Sequence, residues 1–195
     1  CAWDAKTGAR RHTLAHGSPV NWVAFHPKGD RLVTAAEDAT VRLWSAADGK
    51  QLPWAFPTGA VVDYVAFSPD GSRLVTACRD DTVRVWSFDP PAPISPPLPY
   101  RRSTATERYQ FHFDRWPRFS PDGKTVASFK DKDLVIWPGS GDAVKTFDLD
   151  YGITEVYFVP GLNGDRVLAT GNKYNRVAVV TVADALKAHP EVKCV

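Results

Sequence analysis

Residues 16–44 read HGSPVNWVAFHPKGDRLVTAAEDATVRLW, and residues 58–86 read TGAVVDYVAFSPDGSRLVTACRDDTVRVW. The two align without a gap at an offset of 42 positions, so that Phe25 falls on Phe67, Leu32 on Leu74, Asp38 on Asp80 and Trp44 on Trp86. A self-match of this length is an internal repeat. Its period lies in the roughly 40–45-residue range of units that each fold as one small four-stranded sheet. Such a unit cannot bury its own apolar faces and needs neighbours of its kind stacked against it.

Within the first unit the pattern predicts strands over residues 20–25, 31–36 and 40–44. The first two are joined by the turn His26-Pro27-Lys28-Gly29, where Pro presets φ and Gly closes the turn. The second unit carries Ser68-Pro69-Asp70-Gly71 at the same place, and the short links Glu37-Asp38-Ala39 and Arg79-Asp80-Asp81 join second strand to third. Strands this short and apolar on both faces belong in sheets covered on both sides. Upstream, residues 1–15 have the design of a unit's end: a strand to Trp3, a turn through Gly8, and a polar alternating strand to Leu14. Residues 44–56 repeat that design, with Ala46-Ala47-Asp48-Gly49 as the turn, and Gly8 and Gly49 supply the positive φ it needs.

Downstream the copies wear. A third unit spans about residues 114–137, keeping Ser120-Pro121-Asp122-Gly123 and the strand Leu134-Val135-Ile136-Trp137. Its turn Lys130-Asp131-Lys132-Asp133 is one residue shorter. Phe67 to Phe119 spans 52 positions, so about ten residues are inserted, within residues 90–108. Six prolines between Pro90 and Pro99 read as a loop, because proline cannot donate to a ladder. In the fourth unit Val180 stands where tryptophan stood, and Gly161-Leu162-Asn163-Gly164 replaces the Ser-Pro-Asp-Gly turn. Residues 183–195 read as a tail with one helical turn at Asp184-Ala185-Leu186-Lys187-Ala188.

The 195 residues carry a net charge of +2, too small for a nucleic-acid footprint or a polybasic membrane patch. No apolar run approaches the roughly 20 residues that cross a bilayer, and no signal pattern opens the sequence. A soluble, cytoplasmic protein without nucleic-acid or membrane partners is the expectation. Cys1, Cys78 and Cys194 form neither a disulfide framework nor a metal motif, and Cys78 reads as an inert core thiol. The chain holds no Met and opens on what looks like the end of a unit, so it reads as a piece of something longer.

These residues resemble the WD40 repeat family: His16 at the unit's start, the Ser-Pro-Asp-Gly turns, Asp38 and Asp80, and the strand-final Trp3, Trp44, Trp86 and Trp137. Only Trp3-Asp4 has the family's Trp-Asp pair, with Trp-Ser at 44–45 and 86–87 and Trp-Pro at 137–138. The resemblance implies an all-β, WD40-type β-propeller of about four four-stranded blades, a fragment of a larger ring. The divisions are 1–15 (end of a preceding blade), 16–57, 58–93 followed by the insertion at 90–108, 109–148, the degenerate 149–182, and the tail. In the other solution, residues 10–14 complete the fourth blade and close a small ring.

The resemblance also implies a structural tetrad of His, Ser/Thr, Asp and Trp. Here that is His16, Thr34, Asp38 and Trp44 in the first unit, with donors converging on the carboxylate. The second unit keeps Thr76, Asp80 and Trp86 but has Thr58 for histidine. The third has Ser128, Asp131 and Trp137, with Gln110 rather than His112 in register. On the narrow face of the ring the family's pattern exposes Asn21, Glu37, Asp63, Arg79, Arg115 and Lys130. The function implied is a non-catalytic scaffold that binds a protein or peptide there, with no cofactor and no metal. The competing readings are a regulatory or substrate-binding part of a larger enzyme, such as a bacterial kinase–propeller fusion, and a propeller enzyme outright.

Other chemistry finds little footing. His16, Thr34 and Asp38 imitate a hydrolase triad, but their positions recur as repeat features rather than as one unique site. No Gly-x-Ser-x-Gly elbow, His-Glu-x-x-His helix or phosphate-cradling loop occurs, and His12, His26, His112 and His189 lack metal-ligand spacing. Trp22, Tyr64 and Trp116 share one register of the first strand, which suits packing between blades better than a stacking platform. The proline-rich insertion is either a partner contact in polyproline II form or a disordered loop.

Overall fold

The computed structural model describes residues 1–99, 116–130, 132–137, 145–149, 152–159, 166–171, 177–181 and 193–194. Every regular element among them is a β-strand, and no helix there is long and apolar enough to cross a membrane. Strands β1 (Ala2–Trp3) and β2 (Arg10–His12) pair antiparallel as a two-stranded sheet. Next, β3 (Val20–Phe25), β4 (Arg31–Ala36), β5 (Thr40–Ser45) and β6 (Gln51–Pro57) form a four-stranded meander in chain order. The second unit repeats it with β7 (Val62–Phe67), β8 (Arg73–Cys78) and β9 (Thr82–Ser87). The register is conserved to the residue: Phe25 faces Leu32 and Leu32 faces Trp44, as Phe67 faces Leu74 and Leu74 faces Trp86. Equal turn lengths force this, since a one-residue slip would turn every side chain to the wrong face.

The fourth place of the second sheet is filled in two pieces. Here β10 (Ala92–Pro93) pairs with one end of β9 and β11 (Leu98–Pro99) with the other. Between them the Ile94 amide donates to the Val85 carbonyl, and the Ser95 hydroxyl accepts from the Val85 amide in place of a backbone oxygen. This corrects the reading of the proline run as a loop free to dock elsewhere. The prolines are accommodated at a sheet edge, and the second unit extends to Pro99. Residues 100–108 of the insertion lie outside the described residues.

The third sheet is β12 (Arg118–Phe119), β13 (Val126–Lys130), β14 (Asp133–Trp137) and β15 (Lys145–Asp148). The fourth is β16 (Ile153–Phe158), β17 (Arg166–Gly171), β18 (Val177–Thr181) and β19 (Lys193–Cys194). Strand β19 comes from the segment read as a tail and occupies the fourth place itself. Residues 10–12 pair with β1 instead, so the small-ring solution does not form. The expected helical turn at 184–188 falls outside the described residues.

Alternate residues of each strand face opposite ways, and the sheets stack face to face, as propeller blades do. Val33, Ala35, Val41, Leu43 and Phe56 on the trailing face of unit 1 meet Val62, Val65, Leu74, Cys78 and Trp86 on the leading face of unit 2. Val75, Ala77, Val83 and Val85 then meet Val126 and Trp137 of unit 3. Across the third seam Ala127, Phe129, Leu134 and Ile136 meet Ile153, Val156, Ala178 and Val180. Each fully buried aliphatic side chain contributes roughly 1.5–3 kcal/mol against exposure. The core is therefore three seams in series, and the described sheets do not close a ring.

Candidate functional site

The first candidate is the polar chain inside unit 1. His16 Nδ1 lies 2.9 Å from the Leu14 carbonyl, which can only accept, so Nδ1 carries the proton. His16 Nε2 is then an acceptor and takes the Thr34 hydroxyl proton at 2.7 Å. The Thr34 oxygen in turn accepts from Trp44 Nε1 at 2.9 Å. Thr34 and Trp44 are buried, and the His16 and Trp44 rings lie 5.0 Å apart. The chain thus runs from indole to hydroxyl to imidazole and ends on a backbone carbonyl.

Asp38 is not its terminus, which corrects the expected tetrad. Its carboxylate takes the Thr40 hydroxyl at 2.6 Å and Arg42 Nη2 at 2.6 Å, and its side chain is 30% exposed. Hydrogen bonds from Arg42 and then Thr40 hold its carboxyl well below the usual carboxylate range. Asp80 has the same cage, with Thr82 at 2.6 Å and Arg84 at 2.7 Å. Burial works against the Asp80 charge, but Arg84 and Thr82 outweigh it and lower the pKa. The arginines were missed in the sequence although the signal was there: Asp38-Ala39-Thr40-Val41-Arg42 returns as Asp80-Asp81-Thr82-Val83-Arg84.

Unit 2 closes its polar chain differently. Trp86 Nε1 donates to Thr76 at 3.0 Å, and the Thr76 proton points to the Arg84 carbonyl at 3.5 Å. Thr58, in the histidine place, turns back to unit 1 and lies 2.7 Å from the Ala39 carbonyl. In unit 3, Ser128 and Trp137 are buried, while Asp131 lies outside the described residues.

The second candidate is the face of Asn21, Glu37, Asp63, Arg79, Arg115 and Lys130. The structure ties Glu37, Asp63 and Arg79 together across the first seam, and Asn21 crosses it separately. Asn21 Nδ2 donates to the Val62 carbonyl at 3.0 Å. Arg79 Nε reaches Asp63 at 2.9 Å, and its Nη2 reaches Glu37 of the neighbouring unit at 3.0 Å. Asp63 is buried, while Glu37 is 40% exposed. Burial disfavours the Arg79 charge, yet the bonds to Asp63 and Glu37 prevail and raise its pKa. Lys130 is exposed at the end of β13, and Arg115 lies outside the described residues.

Trp22, Tyr64 and Trp116 come together on neighbouring units. Trp22 is 4.9 Å from Tyr64 and 5.7 Å from Trp116, and Tyr64 stacks on Trp116 at 4.9 Å and 3°. Their faces are largely spent on one another. Beside them a depression of about 440 Å³ is floored by Phe25, Phe67 and Phe119 and edged by Arg118. Cys78 sits in the first seam, where burial pushes its thiol up to about 11. Such a thiol is a packing residue rather than a nucleophile. Among the described residues no group of His, Cys, Asp and Glu could hold a metal ion.

Comparison with known proteins agrees with this geometry. The family model "WD domain, G-beta repeat" (WD40) matches residues 8–45 and 56–87. WD repeat-containing protein 86 of Homo sapiens is 48% identical over 42 residues, which is 22% of this chain and 11% of that protein. Nuclear distribution protein PAC1 of Cryptococcus neoformans var. neoformans serotype D is 60% identical over 35 residues, 17% of this chain and 8% of that protein. The chain thus matches about a tenth of the length of these curated relatives.

Proposed function

We propose, from the match of residues 8–45 and 56–87 to the WD40 repeat model, that the chain is a non-catalytic scaffold binding a protein or peptide on the rim that carries Glu37, Arg79 and Lys130. The observation that carries the reading is the seam-crossing Glu37–Arg79–Asp63 bridge. It fixes charged groups of two units in one relative position, and a rigid pattern of charge is what selects a partner and speeds its approach. The hydrogen-bonding residues that could imitate a catalytic triad serve packing instead: His16 and Thr34 stabilise a buried indole, and Asp38 binds Arg42.

The test is charge reversal at the exposed rim positions Glu37 and Lys130. Glu37→Lys with Lys130→Glu should weaken capture of a bound partner at least tenfold, with the melting temperature shifted by under about 2 °C. Undiminished capture by that double variant would move the binding surface elsewhere.

A further inference from the structure

The depression beside Trp22, Tyr64 and Trp116 has a composition that repeat packing does not account for. Its volume of about 440 Å³ falls in the range of small-molecule sites, roughly 300–1,000 Å³. Phe67, Phe119, Pro69 and Pro117 make the wall shared by units 2 and 3 apolar. Among the described residues that line it, Arg118 carries the one charge and none is a carboxylate. Phe67 stands at the opposite end of β7 from Asp63, so the depression is separate from the charged rim.

Arg118 departs from the repeat. Phe25, Phe67 and Phe119 are equivalent, so units 1 and 2 have Ala24 and Ala66 where unit 3 has Arg118. The register is the same in all three, Ala24 facing Val33, Ala66 facing Val75 and Arg118 facing Ala127. A methyl group suffices at this place in two units, so the sheet has no need of a guanidinium there. The guanidinium is nonetheless held, 5.0 Å above the centroid of the Tyr157 ring of unit 4, which fixes the plane of its N–H fork. Tyr64 is the second polar group. Its contacts are to rings and to the Arg118 charge, and its hydroxyl has no hydrogen-bond partner among the described residues. Burial pushes the phenol up while the Arg118 charge pulls the other way, so the hydroxyl keeps its proton at neutral pH within the field of the arginine.

We infer that this depression binds a small apolar monocarboxylate, such as an aryl-alkanoic acid, with its carboxylate on Arg118 and the Tyr64 hydroxyl and its apolar body on Phe67 and Phe119. A guanidinium meets a carboxylate with two parallel N–H···O bonds, and the phenol adds a third donor. A neutral apolar ligand gains nothing from Arg118, and a cation is repelled by it. A short polar anion gains nothing from the two rings and the prolines. One negative charge at the end of an apolar body satisfies both parts of the lining. Ligand binding here and partner capture at the rim use different residues, so each can fail without the other.

The probe is 4-phenylbutyrate, titrated into the full chain by isothermal titration calorimetry at neutral pH. Its comparators are 4-phenylbutanol, which has the body without the charge, and butyrate, which has the charge without the ring. Saturable binding of 4-phenylbutyrate is expected, with both comparators roughly tenfold weaker or more. Arg118→Ala installs the residue of units 1 and 2 and should weaken 4-phenylbutyrate by roughly tenfold or more, and Arg118→Lys by less. Tyr64→Phe removes one hydrogen bond and should weaken it by about two- to tenfold. Circular dichroism checks the fold of each variant. Absence of saturable binding to the wild-type chain overturns the inference, and so does equal affinity for the alcohol or undiminished affinity in folded Arg118→Ala. Tighter binding of an acetylated tripeptide ending in phenylalanine would make a protein C-terminus the occupant, which also overturns it.

Discussion

Trp44 Nε1 donates to the Thr34 hydroxyl at 2.9 Å, and 42 residues later Trp86 donates to Thr76 at 3.0 Å. The hydroxyl is the pivot of each chain, accepting from the indole while its own proton goes elsewhere. Thr34→Val keeps the shape of the side chain and removes that acceptor. A buried N–H left unmade costs roughly 1–3 kcal/mol, so urea unfolding should show a loss in that range. Thr34→Ser should recover most of it, and a Val variant as stable as wild type would dissolve the role given to this bond.

The Leu14 carbonyl dictates the tautomer of His16. Nδ1–H donates to it and Nε2 receives from Thr34. Long-range ¹H–¹⁵N spectra at neutral pH should show a protonated Nδ1 and a bare Nε2 for this one ring. An Nε2–H signal assigned to His16 would reverse the direction of the chain.

Across the first seam, Arg79 and Glu37 should differ in weight although they share a bond. Arg79→Ala takes a charged donor from buried Asp63, and a hydrogen bond to a charged group is worth about 1.5–3 kcal/mol. Glu37→Ala removes an acceptor that is 40% exposed, and such pairs are worth about 0–1 kcal/mol. Chemical denaturation of the two variants should rank them in that order. For the same reason Arg79 is unsuited to test partner binding by charge reversal, since its loss would weaken unit 2, which displays the rim.

How far the sequence could be read divides along a physical line. Strand positions, register and the seams were legible, because each depends on local periodicity that the 42-residue offset repeats. The destination of Asp38 was not, because a carboxylate follows whichever donor reaches it first. Arg42, opposite Thr34 on the next strand, is closer at hand than the imidazole. The proline run was misjudged for a related reason: proline density argues against a ladder only where amides are required. At this edge the amide that donates to the Val85 carbonyl belongs to Ile94 and not to a proline.

Acid should loosen units 1 and 2 through their aspartate cages. Asp38 and Asp80 have folded-state pKa values below the ordinary carboxylate value. Their contribution is therefore full above about pH 4 and lost as pH falls through the folded values. Asp38→Asn with Asp80→Asn should be less stable than wild type at pH 7. The gap, measured by denaturant unfolding, should narrow toward pH 2. A gap independent of pH would mean that the cages act by shape rather than by charge.

Gly71 and Gly29 offer the sharpest comparison, because they hold equivalent turn positions with nearly equal backbones, φ +76° and +72°. An alanine at either place suffers the left-handed penalty of about 1 kcal/mol. Only at Gly71 is there a neighbour: a Cβ would stand 2.2 Å from His26 Nε2, so the ring would have to move. That ring is buried and wedged beside Phe67 and Phe88, at 5.0 and 5.4 Å, so it cannot swing aside cheaply. Overpacking of this kind adds about 1–3 kcal/mol. Gly71→Ala should therefore unfold at clearly lower denaturant than Gly29→Ala. Adding His26→Ala to both backgrounds should shrink the difference between them, since that substitution removes the obstacle. Equal losses at the two glycines would mean that the turn of unit 1 does not press on that of unit 2, and the first seam would end short of this edge.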